Sequence, residues 1–142
     1  MRNWLGLIGL ALMLAAAPAG ADILPTPDAG PFMGSAGGLD FAIQSVQVEM
    51  GPANGPHYYK TNQIAVLTGC TDGQPNCALA KSKKLIGMEV ISVDGQDLRP
   101  ETGRVRQILD AFANQAAGRT VLLELYARGS NNQSVKVSFA RR

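Results

Sequence analysis

Histidine occurs once in this chain, at position 57, and cysteine only twice, at positions 70 and 77. Two sulfurs and one distant imidazole make a poor zinc set, so no metal centre is expected. His57 sits in a turn-rich stretch, GPANGPHYYKTN, with no nucleophile or orienting acid at a telling distance. The carboxylates show no pairing of the kind that acid–base work needs. No enzymatic activity and no cofactor are expected. Aromatics make up only 6% of the chain, too few for a base-stacking platform. Neither sign of charge dominates: Lys and Arg total 13, Asp and Glu 11, and the formal net charge is +2. The one dense basic patch is Lys81, Lys83 and Lys84, which reads as a solvated face. Nucleic acid is therefore not an expected partner. No internal repeat or long low-complexity tract is present.

What is present begins with a leader. Arg2 is followed by an uncharged apolar run, Trp4 to Ala17, and then by Ala19-Gly20-Ala21. The run is short for the ~20 residues of a membrane span, and the small residues suit a cleavage site. Residues 1–21 read as a signal peptide, and no Cys follows to carry a lipid anchor. The mature chain is then expected to be periplasmic or secreted, with no stable membrane insertion. In that setting Cys70 and Cys77, flanking TDGQPN, read as a disulfide across a turn. The loop is short, so the bridge is worth about 2–3 kcal/mol in the chain-entropy model and acts as a local stiffener.

Residues 22–36 are rich in Pro, Gly and small side chains and read as an extended linker, with Phe32 and Met33 tucking against the domain. Residues 37–142 read as one domain. A first strand is expected over Gly37–Met50, with a bulge near Ser45 where the apolar alternation changes phase. A second is expected over Gln63–Gly69, a short helix over Ala78–Leu85 and a third strand over Met88–Val93. Asp94-Gly95 signals a turn, and a short strand is expected near Gln96. Val105, Ile108, Leu109 and Phe112 have helical spacing within Glu101–Ala117, with Thr102 as N-cap and Gly118 just past the end. A closing hairpin is expected from Thr120–Ala127 and Ser134–Ala140, turning at Gly129–Asn132, with Val135, Val137 and Phe139 inward.

This order of elements resembles a PDZ domain of the bacterial, circularly permuted type. Gly38-Leu39-Asp40-Phe41 is similar to the family's carboxylate-binding loop. The run from Gly87 to Gly95 is similar to its Gly-Asp-x-Ile-x-x-Val-Asn-Gly strand. The helix before Gly118-Arg119-Thr120-Val121 and the last strand, Val135–Phe139, match in position. The resemblance implies an α+β, PDZ-like fold: a small, partly closed antiparallel β-barrel capped by two helices. It departs from the family pattern at Asp40, which stands where the family has Gly, and at Met88, which stands where it has Asp.

The resemblance also implies a mechanism, strand addition. A partner's extended C-terminus or segment would lie between the first strand and the long helix. Gly38, Leu39, Asp40, Phe41, Ala42 and Ile43 would line its course, and Gln107 and Ala111 would face it from the helix. If Asp40 points at a bound carboxylate it repels it, by about 4 kcal/mol at 4 Å near a protein surface. If it points outward, water and salt remove the effect. Two classes of function stay open. One is an exported module that binds a protein or peptide partner of the cell envelope. The other is a structural subunit of an envelope assembly with a non-functional groove, docking through loops such as that of Tyr58 and Tyr59 or that of the two cysteines.

Overall fold

A computed structural model describes residues 27–128 and 133–141. The expected leader at 1–21, residues 22–26 of the expected linker and the Gly129–Asn132 turn lie outside the described residues. The described chain is α+β. In order it forms β1 (Met33–Ala36), β2 (Leu39–Met50), β3 (Tyr58–Cys70), α1 (Pro75–Ser82), β4 (Glu89–Val93) and β5 (Gln96–Asp97). Next come α2 (Arg104–Ala113), a 3-10 turn (Gln115–Ala117), β6 (Thr120–Tyr126) and β7 (Ser134–Ala140). The seven strands make one antiparallel sheet in the order β1-β2-β3-β4-β6-β7, with β5 paired to β4.

The sheet is not closed into a barrel, contrary to expectation. The reason lies at its first edge. β1 comes from the segment expected to be a linker, and it covers the start of β2, pairing Met33–Ala36 with Ala42–Leu39. At the opposite edge, β7 pairs with β6 alone among the described residues.

One core takes side chains from the sheet and both helices. Leu39 and Phe41 of β2 meet Leu67 of β3, and Val105, Ile108 and Phe112 of α2 close over them. The expected alternation of β6 holds: Val121, Leu123 and Leu125 are all fully buried. In β7 it holds for Val137 and Phe139, but Val135 is 37% exposed at the outer end of the edge strand.

The bulge lies earlier than the apolar phase shift suggests. Asp40 pairs with Gly69 and Phe41 with Leu67, so Thr68 is the extra residue, and its hydroxyl donates to the Asp40 carbonyl at 3.2 Å. From Gln44 to Met50, β2 pairs with β3 alone, and the two run on as a ribbon beyond the core. β3 therefore starts at Tyr58, inside the stretch expected to be irregular. His57 holds the ribbon's loop: Nδ1 lies 2.5 Å from Glu49 Oε2 and Nε2 lies 2.8 Å from the Pro52 carbonyl.

α1 starts three residues before expectation because Pro75 suits a first helical turn, where its missing N–H would have no partner. Cys70 and Cys77 are paired as a disulfide, their Cα atoms 5.2 Å apart, which ties the end of β3 to this first turn. Between them in the chain, Asn76 is 5% exposed. Its Nδ2 donates to the carbonyls of Gly37 and Ala140, both at 2.8 Å, and its Oδ1 accepts from Ala140 N–H at 2.8 Å. One amide thus joins the β1–β2 turn to the end of β7.

Asn76→Ala leaves two part-buried carbonyls and an N–H without this partner, and is expected to cost about 2–4 kcal/mol in chemical denaturation. Asn76→Asp is expected not to restore stability, because a carboxylate cannot donate to two carbonyls. Wild-type stability for either variant would show that the bridge contributes nothing net.

Candidate functional site

β1 lies against β2 on one side and α2 on the other. It follows from local sequence: Gly37-Gly38 is a two-residue link between two short extended runs. Both glycines have positive φ, +60° and +80°, as a tight hairpin turn with the twist of its strands requires. Side chains are excluded there as well, since a Cβ on Gly37 would fall 2.8 Å from Phe112 Cε1 and one on Gly38 would fall 2.8 Å from Gln74 Cβ. The stretch expected to be an open anion loop is therefore a closed hairpin turn.

β1 presents alternate residues to the interior. Gly34 and Ala36 are half-buried, while Met33 and Ser35 face out. Gly34 passes so close to α2 that a Cβ would stand 2.7 Å from Leu109 Cδ1. On the outer face, Ser35 Oγ donates to Asp40 Oδ1 at 2.5 Å, across the ladder from its register partner. Phe32 and Met33 do not tuck in; they are 55% and 73% exposed. Phe32 contributes its backbone instead, accepting a hydrogen bond from Ile43 N–H at 2.8 Å.

The segment before β1 is anchored by a buried ion pair. Asp28 Oδ2 lies 3.1 Å from Arg104 Nη1, with the Asp28 side chain fully buried and that of Arg104 6% exposed. The same oxygen accepts from Arg104 N–H at 3.2 Å, at the first turn of α2. Asp28 therefore does from afar what Thr102 was expected to do. The N-cap position is Gly103, without a side-chain cap, and the Thr102 carbonyl accepts from Ala29 N–H. A carboxylate at this end also suits the helix dipole. The other Asp28 oxygen accepts from Gly30 N–H at 2.8 Å, and Asp28 N–H donates to Gln63 Oε1 at 2.5 Å.

The residues expected to line the groove fall into three groups. Leu39 and Phe41 are core side chains, 0% and 1% exposed, and the Phe41 ring lies 6.2 Å from that of Phe112. Gly38, Asp40, Ala42 and Ile43 are brought together along β1. The Ile43 N–H points toward β1, so alternation along β2 turns the Ala42 N–H toward β3. The helix residues differ from expectation. Gln107 Nε2 donates to Glu101 Oε1 at 3.0 Å, and the Ala111 carbonyl accepts from the Arg141 guanidinium. The α2 side chains nearest the hairpin are Leu109 at Gly34 and Phe112 at Gly37. Sequence reasoning missed Asp28, Gly34, Ser35 and Arg104. The signal for Gly34 and Ser35 was their alternation of small inward and polar outward positions, only four residues long.

No family model, no curated protein and no solved structure matches the chain. Among the described residues no cluster of His, Cys, Asp and Glu is arranged to hold a metal ion, and no helix is long and apolar enough to cross a membrane. A separate concavity of about 180 Å³ lies between β4, β5 and β6, lined by Ser92, Asp97, Arg99 and Glu124 among others.

Beside the Asp28–Arg104 anchor stands Glu89, the first residue of β4, 7% exposed. Burial raises its carboxyl above the usual value of 4.5, and the positive charges of Arg128, Arg99 and Arg104 offset this only in part. The folded state therefore favours the protonated form. Its contribution to stability is complete below the usual value and is lost as pH rises through the raised one. Glu89→Gln, which mimics the protonated form, is expected to melt near wild type at acid pH and above it at neutral pH. A melting difference that does not grow between pH 4 and pH 7 would contradict this (the interval brackets the usual value).

Proposed function

We propose that this chain is an exported, PDZ-like binding module that holds an extended segment of a partner protein of the cell envelope by strand addition at β2, against α2. One observation carries the reading: the chain's own β1 already lies there, antiparallel to β2 and against Leu109. The site thus accommodates an extended polypeptide, using the backbone of β2 and a shallow contact with the helix. The ligand this favours is an internal segment, since the chain passes through Gly37-Gly38 as a turn and Asp40 faces a hydroxyl. Export is supported by the signal-peptide pattern read in residues 1–21 and by the Cys70–Cys77 pair. A partner strand must displace β1, whose effective concentration is on the order of millimolar or more across so short a link.

A second reading is favoured by the ribbon tip, where Tyr58 and Tyr59 are 52% and 63% exposed. In that reading the groove is permanently filled and the ribbon docks the protein into an assembly.

The two are separated with a blocked synthetic peptide, PDAGPFMGSA, covering residues 27–36. Gly34→Leu forces a side chain against Leu109 and is expected to loosen β1 by about 1–3 kcal/mol. The loosened protein is expected to bind the peptide in a calorimetric titration, whereas wild type does not at the same concentrations. Adding Ile43→Pro is expected to abolish binding, because it removes the N–H directed at β1 while leaving the β2–β3 ladder intact. Binding that survives Ile43→Pro would refute strand addition. Peptide binding that is unchanged by Tyr58→Ser and Tyr59→Ser fits the first reading.

A further inference from the structure

We infer that this groove is selective for a strand carrying a hydroxyl residue between two small ones, and that Asp40 is the residue that reads the hydroxyl. The inference rests on strand addition at β2 and specifies which strands are accepted. Three contacts of β1 define the three positions.

The first position is that of Gly34. A Cβ placed there meets three atoms of Leu109, at 2.7, 3.3 and 3.4 Å. A larger side chain has to displace the end of Leu109, a half-buried side chain of α2. The third position is that of Ala36, half-buried and packed against the same core. A methyl group is accommodated there, next to a turn where a Cβ on Gly37 meets Phe112 at 2.8 Å. Both inward positions are therefore set by α2.

The middle position faces outward and is set by β2. Asp40 Oδ1 accepts from Ser35 Oγ at 2.5 Å. Asp40 is held in place for this task. Its backbone carbonyl takes the Thr68 hydroxyl at the bulge, and its register partner in β3 is Gly69. A carboxylate is an acceptor only, so it favours a donor side chain opposite and disfavours an acidic one. This gives Asp40 a positive role in a place where it would oppose a terminal carboxylate.

The test uses the Gly34→Leu protein and four blocked peptides of residues 27–36: the native sequence and its Ser35→Ala, Ser35→Thr and Gly34→Val forms. Ser35→Ala is expected to weaken binding about tenfold, the usual scale for losing a hydrogen bond to a charged group. Ser35→Thr is expected to bind like the native peptide. Gly34→Val is expected to lose about tenfold or more through overpacking. Introducing Asp40→Asn into the protein is expected to narrow the Ser-to-Ala difference. Equal binding of all four peptides would overturn the selectivity and leave strand addition standing; no binding of any peptide would overturn both.

A measurement on the otherwise native chain does not depend on the Gly34→Leu protein. Exchange of the Ile43 amide hydrogen reports opening of β1, since that N–H donates to Phe32. Ser35→Ala is expected to speed its exchange about tenfold in a chain with Asp40, and far less in Asp40→Asn. The same acceleration in both backgrounds would overturn the role of Asp40.

Discussion

The side-chain amide of Asn76 connects three parts of the chain that no backbone ladder connects: the β1–β2 turn, the first turn of α1 and the end of β7. Among the described residues the sheet is open, with β1 and β7 at its two edges. Asn76, itself 5% exposed, supplies two donors and one acceptor there, where unpaired groups are costly. The disulfide fixes the residue next to it, so the amide is held in position by a covalent link as well as by packing. The turn thus fastened is Gly37-Gly38, and its rigidity aims β1 along the edge of β2. The course of β1 along β2 depends on that fastening.

The other end of the segment is fastened differently. Asp28 and Arg104 form a buried pair that also closes the first turn of α2. Removing one partner of such a pair costs about 3–5 kcal/mol, because the other charge is left without compensation. Helix α2 begins where the Asp28 carboxylate meets its first turn, and Asp28 is held there by Arg104 and Gln63. Local and long-range contacts support one another, which is the consistency expected of a well-specified fold.

Much of the architecture was legible from residue patterns. The 3.6-residue spacing of Val105, Ile108 and Phe112 marked α2, and the alternation of Val121, Leu123 and Leu125 marked β6, because burial imposes those periods directly. What was not legible depends on partners far away in sequence. β1 has four residues, two of them without a substantial side chain, so periodicity had nothing to register. The cap of α2 is Asp28, and no local rule looks 76 residues back for a capping carboxylate. Asp94-Gly95 reads as a turn from its residue types alone, whereas Gly37-Gly38 reads as the entry to a strand and its loop. Only the latter's neighbours in space decide that it is a hairpin turn and not an open loop. The order of elements is legible from patterns, while the closure of the edge at β2 is a matter of tertiary contact.

These two fastenings divide the segment into parts of unequal strength. Asp28 and Arg104 are both buried and paired with each other, so detaching Asp28 strands Arg104 in the interior. Between Phe32 and Ala36 the situation is reversed. Phe32 and Met33 point into solvent, Gly34 contributes no side chain to bury, and the ladder to β2 spans four pairs. Such a stretch has little apolar area to lose on detaching, and opening energies of this kind belong to the low end of a protein's range. The middle of the segment between Asp28 and Gly37 is therefore less strongly held than its two ends. In the proposed strand exchange, the receptor strand would be held by the core and the occupant most strongly at its ends.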